Sequence, residues 1–187
     1  AFAHSQRIIH RDLTPSNILV GAYGETVVID WGLAKDLSEG LSEDESEGDA
    51  SASANLTGVG AVIGTPAYMP PEQAHAVPVD ERADVYALGA ILYHLLAGEA
   101  PYRAATTRDV LRAVKTGPPP PIGDLVPQAP RDLVSIVTKA MARDPNDRYP
   151  TARELTEELN RFQTGNLVEA HAYSGAERAL RFARRNR

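Results

Sequence analysis

Cysteine is absent from the 187-residue sequence, which excludes disulfide bonds, thiolate metal sites and cysteine nucleophiles. The absence also fits a reducing compartment. The sequence shows neither a signal peptide nor an apolar run long enough to cross a bilayer. The best candidate run, residues 87–97, is short and contains Tyr93 and His94, so we expect it to form part of a buried helix.

Basic residues are too few for a nucleic-acid-binding protein. Lys and Arg together number 19 against 25 Asp and Glu, and the formal net charge is -6 at pH 7. Nucleic-acid phosphates are bound by clusters of basic side chains, which the main body of the sequence lacks. The length and the 43% share of hydrophobic residues predict one soluble globular domain.

Two β-branched runs flank a glycine-containing turn near the N-terminus. Residues 18–20 are Ile-Leu-Val and residues 26–29 are Thr-Val-Val-Ile, separated by Gly-Ala-Tyr-Gly-Glu. This pattern predicts a β-hairpin. Asn17 directly precedes the first strand and Asp30 directly follows the second, so a hairpin would bring both polar side chains to the same edge.

An acidic segment follows the hairpin. Residues 36–55 contain no basic residue, and Ser, Gly and Ala fill the positions between the carboxylates. Because such a segment has no apolar face to bury, we expect a flexible loop, bounded at residues 36–63.

Helix signals dominate the sequence from Asp80 onward. The first helix, from Asp80 to about Leu96 with Gly98 just past its end, should run through the core, because its apolar and small residues leave little polar face. The prolines at 118–121 predict an extended connection. The other helix starts are Thr106 with Asp109, Pro130 as a first helical residue, and Thr151 with Glu154.

The residues that could carry chemistry lie around the hairpin. Residues 10–17 are His-Arg-Asp-Leu-Thr-Pro-Ser-Asn, and Asp30-Trp31-Gly32 follows one hairpin later. This pair of motifs resembles the catalytic and metal-binding loops of protein kinases. Phosphoryl transfer, the reaction that the resemblance implies, needs a carboxylate that accepts the proton of the attacking hydroxyl, and oxygen ligands for Mg²⁺. Asp12 can supply the first, and Asn17 with Asp30 the second. A His-Arg-Asp tripeptide arises easily by chance, whereas these three residues at this spacing around a hairpin do so far less easily.

Three later motifs complete a resemblance to a known family. Residues 64–72 are Gly-Thr-Pro-Ala-Tyr-Met-Pro-Pro-Glu, residues 84–89 are Asp-Val-Tyr-Ala-Leu-Gly, and residues 144–149 are Asp-Pro-Asn-Asp-Arg-Tyr. Together with the hairpin motifs they resemble the C-terminal lobe of bacterial receptor-type Ser/Thr protein kinases. The resemblance covers residues 1–163. It implies an α+β protein-kinase-like fold, as a mostly α-helical lobe with a small β-hairpin at the catalytic edge.

The resemblance implies roles for the residues of the catalytic loop and hairpin. Asp12 is the expected catalytic base, with Arg11 and Asn17 beside it in the catalytic loop. Asn17 and Asp30 are the expected Mg²⁺ ligands, and Leu19 would pack under the adenine ring. ATP and Mg²⁺ are therefore the implied cofactors, and protein Ser/Thr hydroxyls the implied acceptors.

Other matching residues are expected to support this site. Thr65 would buttress the catalytic loop beside the protein substrate, and Asp84 would hydrogen-bond the backbone near the start of that loop. The remaining supporting residues are the buried ion pair Glu72 with Arg148, and two members of the hydrophobic column that couples the lobes, His10 and Trp31.

One position departs from the family pattern. Ser/Thr kinases usually place Lys two residues after the catalytic Asp, and this sequence has Thr14 there. An active kinase is the preferred interpretation, because the base and both metal ligands are present. The alternative is a pseudokinase that serves as a nucleotide-binding or scaffolding module.

The sequence also predicts regulation by phosphorylation and a second, smaller lobe outside this chain. Arg11 next to Asp12 is typical of kinases whose activation loop is ordered by phosphorylation, and Thr57 is our first choice of site, ahead of Ser51 and Ser53. A dimer would allow phosphorylation between copies. We expect the small ATP-gripping lobe upstream of Ala1, supplied in cis, and little activity without it.

The C-terminal segment, residues 164–187, is expected to be a linker rich in arginine. A solvated helix is one interpretation. The other is a basic juxtamembrane stretch before a membrane anchor beyond Arg187, since positive residues stay on the cytoplasmic side. In either case the kinase lobe is expected in the cytoplasm, with the parent protein held at the inner membrane in the second.

Overall fold

A computed structural model of the chain describes residues 1–38 and 66–175. The α-helices are α1 (Phe2–Ser5), α2 (Pro71–Ala74), α3 (Glu81–Ala97), α4 (Thr107–Thr116), α5 (Ile122–Leu125), α6 (Arg131–Ala140) and α7 (Ala152–Gln163). The strands are β1 (Ile8–Ile9), β2 (Ile18–Val20), β3 (Thr26–Val28) and β4 (Lys35–Asp36). Short 3-10 turns cover Pro15–Asn17, Pro66–Tyr68 and Pro145–Asp147.

The predicted hairpin is present. Strands β2 and β3 pair antiparallel, with Ile18 opposite Val28. Gly24 adopts φ +86 in the turn, a conformation that glycine takes at little cost. Beyond the ladder, the backbone N–H of Ile29 donates to the carbonyl oxygen of Asn17 at 3.0 Å. The residues before β2 and after β3 therefore meet at one edge, as the sequence predicts.

A second two-stranded ribbon was not predicted. Ile8 of β1 lies opposite Asp36 of β4, and the N–H of Leu37 donates to the carbonyl oxygen of Arg7 at 2.8 Å. Each strand is only two residues long, so no alternating pattern exists to reveal it. The ribbon ties the segment after Asp30 to the strand that leads into residues 10–17.

The predicted helix starts agree with the structure, with one correction. Asp80 caps α3 and Thr106 caps α4, while Thr151 and Glu154 form a capping box at α7. Pro130 is not the first helical residue of α6 but its N-cap, with extended backbone at ψ 122. A proline suits either position because its missing N–H would be unpaired in both, so the sequence does not separate them.

Helix α3 runs through the core and separates two hydrophobic clusters. One includes Tyr86, Tyr93 and Val114 of α3 and α4, and the other includes Val85, Ile136 and further residues of α6 and α7. The expectation that α3 is buried all round is wrong toward its C-terminal end, where Leu95 is 75% exposed.

Some predictions fall outside the described residues. These are most of the acidic segment 36–63, the candidate phosphorylation sites, Thr65, and the arginine-rich residues 177–187. Within the described part of the chain, no helix combines the length and apolar character that spanning a membrane requires.

Candidate active site

Asp12 and Asn17 are held together by the loop that precedes the hairpin. The side-chain Nδ2 of Asn17 donates to the backbone carbonyl oxygen of Asp12 at 2.8 Å and to its carboxylate Oδ2 at 3.4 Å. A 3-10 turn beginning at Pro15 brings Asn17 back, with the Asn17 N–H donating to the Thr14 carbonyl at 3.0 Å. The predicted base and the first predicted metal ligand are therefore direct neighbours.

Asp30 completes the group from the other strand. It follows β3 with φ 62, a left-handed conformation that Asp tolerates better than most residues. Burial raises the pKa of the Asp12 carboxyl. The proximity of His10 lowers that pKa, the Asp30 carboxylate raises it, and the hydrogen bond from Asn17 lowers it. Asp30 directly follows Ile29, whose N–H bonds to the carbonyl oxygen of Asn17 at 3.0 Å, so Asp30 stands at the edge that Asn17 shares with Asp12.

The donor set of this edge fits Mg²⁺. Because Nδ2 of Asn17 donates to Asp12, its amide oxygen and the Asp30 carboxylate are the hard oxygen atoms that could serve as ligands. The described residues contain no cluster of three His, Cys, Asp or Glu side chains that could hold a metal alone. Two protein ligands suit Mg²⁺, which retains waters and shares phosphate oxygens.

Asp84 anchors the loop from the core helix. It is 3% exposed, and its two carboxylate oxygens accept the backbone N–H groups of His10 at 2.8 Å and Arg11 at 2.9 Å. These are the contacts that the sequence predicts for Asp84. Arg11 adopts φ 69, and charge-assisted bonds to a buried carboxylate stabilise such a strained backbone.

Two further residues hold the loop and were missed in the sequence. His4 of α1 lies with Nε2 at 3.0 Å from Oδ2 of Asp84, and Gln73 of α2 donates through Nε2 to the carbonyl oxygen of Arg11 at 2.8 Å. Gln73 adjoins Glu72 in the predicted motif, which is a weak local signal. His4 has none, because its partner is 80 residues away.

His10 and Trp31 contact each other as ring neighbours. Their centroids are 4.7 Å apart at an interplanar angle of 60°. His10 Nε2 donates to the carbonyl oxygen of Ile29 at 3.0 Å, while its Nδ1 accepts the N–H of Asp12 at 3.3 Å. The indole Nε1 of Trp31 donates to Val28 at 3.1 Å. The ring pair thus connects the catalytic loop to the end of the hairpin.

Glu72 and Arg148 form the ion pair expected from the sequence. The guanidinium donates to both carboxylate oxygens, at 2.7 and 2.8 Å. The Arg148 side chain is 0% exposed and that of Glu72 12% exposed. Arg148 also donates to the backbone carbonyls of Arg82 and Ala142. The pair therefore fastens α2 to the start of α3 and to the segment that follows α6.

Thr14 carries no charge toward the catalytic edge. It is 4% exposed, and its Oγ1 lies 2.8 Å from Oγ of Ser16. The Thr14 hydroxyl is therefore hydrogen-bonded within the loop itself. The position where the resemblance leads us to expect Lys is therefore filled by a small, internally bonded side chain.

The hairpin side of the site carries exposed apolar side chains. Leu19, predicted to lie under adenine, is 52% exposed, and Val20, Val27 and Trp31 are 71%, 51% and 44% exposed. Leu19 and Val27 are cross-strand partners on one face of the hairpin, and an exposed apolar face is typical of an interaction site.

Comparisons with known proteins agree with these motifs. The family model of the protein kinase domain matches residues 1–159. The chain is 34% identical over 170 residues to serine/threonine-protein kinase PknD of Protochlamydia amoebophila, covering 88% of this chain and 17% of that protein. A probable serine/threonine-protein kinase of Corynebacterium efficiens is 39% identical over 181 residues, 95% of this chain and 25% of that protein. Serine/threonine-protein kinase PknB of Mycobacterium leprae is 37% identical over 170 residues, which cover 90% of this chain and 25% of that protein. The chain thus spans a quarter or less of the length of these relatives.

Proposed function

The chain belongs to the protein kinase family, and from this premise we propose that the protein containing it is a Ser/Thr protein kinase. It would transfer the γ-phosphate of ATP to Ser and Thr hydroxyl groups of protein substrates. The observation that carries the proposal is the hydrogen bond from Asn17 to Asp12 at the hairpin edge, where the N–H of Ile29, the residue before Asp30, bonds to the Asn17 carbonyl oxygen.

Asp12 is suited to the role of base. In the proposed step, the acceptor hydroxyl oxygen forms a bond to the γ-phosphorus, the bond to the bridging oxygen of ADP breaks, and the hydroxyl proton passes to the Asp12 carboxylate. A raised pKa makes this carboxylate a better proton acceptor than a fully solvated Asp. Asn17 fixes its orientation, which lowers the cost of reaching the reactive geometry.

Asn17 and Asp30 would hold Mg²⁺, and Leu19 would contact the adenine ring. A bound Mg²⁺ would neutralise the negative charge that develops on the phosphates. The protein's own contribution is to fix the two oxygen ligands at the meeting edge of β2 and β3, and to keep Asp12 beside them.

The cleft requires parts beyond the described lobe. The exposed apolar side chains around Leu19 support a small lobe of the same protein as their cover, and the chain's small share of its relatives' length leaves room for one. We therefore place the kinase activity in the full-length protein. A membrane anchor after Arg187, a dimer and the cytoplasmic location of the lobe stay predictions.

Phosphorylation of the activation segment would regulate this site. Arg11 is placed for it, because its Nε is buried and has no hydrogen-bond partner among the described residues. A phosphate on the activation segment would supply that partner and a compensating charge. Thr57 remains our first choice of site and lies outside the described residues.

The pseudokinase alternative has less support than the active kinase. Thr14 removes one positive charge, but the proposed base and proposed metal ligands are all present in the sequence, Asn17 bonds to Asp12, and the matched relatives are named kinases. A direct test incubates the full-length protein with γ-labelled Mg-ATP and a generic protein substrate, followed by phosphoamino-acid analysis. Label on Ser and Thr supports the proposal, whereas label on Tyr alone, or none with a folded protein, contradicts it.

A further inference from the structure

The chain folds back onto the lobe after α7. We call residues 166–173 the C-terminal strap. They lie beyond residue 159, where the match to the protein kinase domain ends. They belong to residues 164–187, for which the sequence predicts a linker. The strap is nevertheless packed on the lobe through Val168, Ala170 and Tyr173, and through several hydrogen bonds to α6 and α7.

Val168 is the fully buried apolar contact of the strap, and Ala170 and Tyr173 pack beside it on the same cluster. Val168 is 2% exposed and belongs to the hydrophobic cluster that contains Val85 of α3, Ile136 of α6 and Leu155 of α7. Its neighbour Leu167 is 41% exposed. Removing the strap would therefore uncover a core cluster of the lobe, and one member of that cluster, Val85, directly follows Asp84.

Polar contacts fix the strap in the same place. The buried carboxylate of Glu158 on α7 accepts the backbone N–H groups of Glu169 at 3.0 Å and Ala170 at 2.9 Å. Oγ of Ser135 on α6 lies 2.9 Å from Nδ1 of His171. A buried carboxylate that is 3% exposed needs such partners, because unpaired burial of a charge is costly. The strap is thus a built part of the lobe.

A continuous set of contacts leads from α7 to the catalytic loop. The first helical N–H of α7, on Ala152, donates to Nδ1 of His4 at 3.2 Å. Because Nδ1 accepts, Nε2 of His4 carries the proton and donates to Asp84 at 3.0 Å. Asp84 in turn accepts the N–H groups of His10 and Arg11. The position of α7 therefore bears on the anchor of the catalytic loop.

We propose that the C-terminal strap is a latch: seated on α7, it holds the contacts from Ala152 through His4 to Asp84 that keep the catalytic loop in place. Unseating the strap would release Glu158 and open the cluster around Val168, so that α7 and His4 loosen and the loop loses its anchor. The chain that follows the strap is then in a position to alter catalysis by pulling on it. This proposal rests on the proposed function, since it assumes that the loop is catalytic.

The test uses two neighbouring substitutions in the full-length protein. Val168→Ala removes buried methyl groups, and Leu167→Ala makes the matched change at an exposed position. Hydrogen exchange is followed by mass spectrometry on peptides that cover residues 8–12 and the start of α7, with α4 as the reference. We expect exchange in the first two regions to rise by on the order of tenfold in Val168→Ala, with α4 and the Leu167→Ala variant unchanged.

Two results would overturn the latch. If exchange in Val168→Ala matched that of the unmodified protein in every region, the strap would have no effect on the loop. If exchange in α4 rose as much as at residues 8–12, the strap would act on overall stability alone. Val168→Asp serves as the stronger variant, with circular dichroism as the check of folding. If it unfolds, Val168→Ala decides the outcome. The rate of phosphoryl transfer is measured in parallel: absence of transfer in the unmodified protein refutes the proposed function, whereas the exchange result judges the latch independently.

Discussion

Arg148 holds Glu72 through two parallel hydrogen bonds of 2.7 and 2.8 Å inside the lobe, and the aromatic ring of Tyr86 lies 4.9 Å from the guanidinium carbon. The geometry is bidentate, which is the strongest form of an Arg–carboxylate pair. Since both side chains are nearly removed from solvent, either charge would be left uncompensated if its partner were lost.

Glu72→Ala should therefore lower the free energy of unfolding by about 3–5 kcal/mol. The loss comes mainly from leaving the buried Arg148 charge unpaired. A matched control is Glu157→Ala, which breaks an ion pair with Arg153 whose side chains are 52% and 76% exposed, and which should cost about 0.5 kcal/mol or less. Urea unfolding of both variants measures the difference. Equal losses would show that the Glu72 pair is not a structural anchor.

The rate of transfer should depend on the protonation of Asp12. Burial raises the Asp12 pKa above the ordinary value of a solvated Asp, 3.8, and only the carboxylate can accept the proton. The rate should therefore fall as the pH is lowered through that pKa, at a higher pH than for a solvated Asp. A pH profile of kcat on the full-length protein checks this, and an acid limb at or below 3.8 would contradict it.

Thr14→Lys should retain or raise the rate of transfer. The new ammonium group would face the γ-phosphate, and one charge-assisted contact can contribute on the order of tenfold. Thr14→Met adds a side chain of comparable length without charge and serves as the control. A protein that stays inactive in both the unmodified and the Thr14→Lys forms would support the scaffolding interpretation instead.

Thr57 should become phosphorylated when the full-length protein is incubated with Mg-ATP. The phosphate would pair with Arg11, whose Nε is buried without a partner among the described residues. Mass spectrometry of the treated protein locates the modification, with Arg11→Ala as a variant that should lose activation but not the capacity to be modified by active enzyme. An active sample with unmodified Thr57 would exclude this residue.

The sequence predicts what local chemistry determines. The hairpin follows from two β-branched runs around a glycine turn. The start of α7 follows from Thr151 and Glu154, which form reciprocal hydrogen bonds although they are only three positions apart. Asn17 and Asp30 are predictable as neighbours because the hairpin joins the positions on which they stand.

The parts that escape prediction depend on distant partners. His4 contacts Asp84 and Ala152, which are 80 and 148 residues away in the chain. The strap contacts a buried Glu158, which in the sequence is one acidic residue among several in an amphipathic helix. No spacing rule connects such positions, because tertiary packing alone brings them together.

The central claim is that Asp12 accepts the proton and Asp30 binds Mg²⁺. Two variants of the full-length protein test it most directly. Binding of Mg-ATP and the rate of γ-phosphate transfer are measured for Asp12→Asn and Asp30→Asn. Asp12→Asn should bind Mg-ATP as the unmodified protein does and lose transfer by about 10²–10⁴-fold. It should keep or gain stability at neutral pH, since burial raises the Asp12 pKa and the charge therefore opposes folding as the pH rises through it. Asp30→Asn should weaken Mg²⁺-dependent nucleotide binding. Undiminished transfer in folded Asp12→Asn would contradict the account.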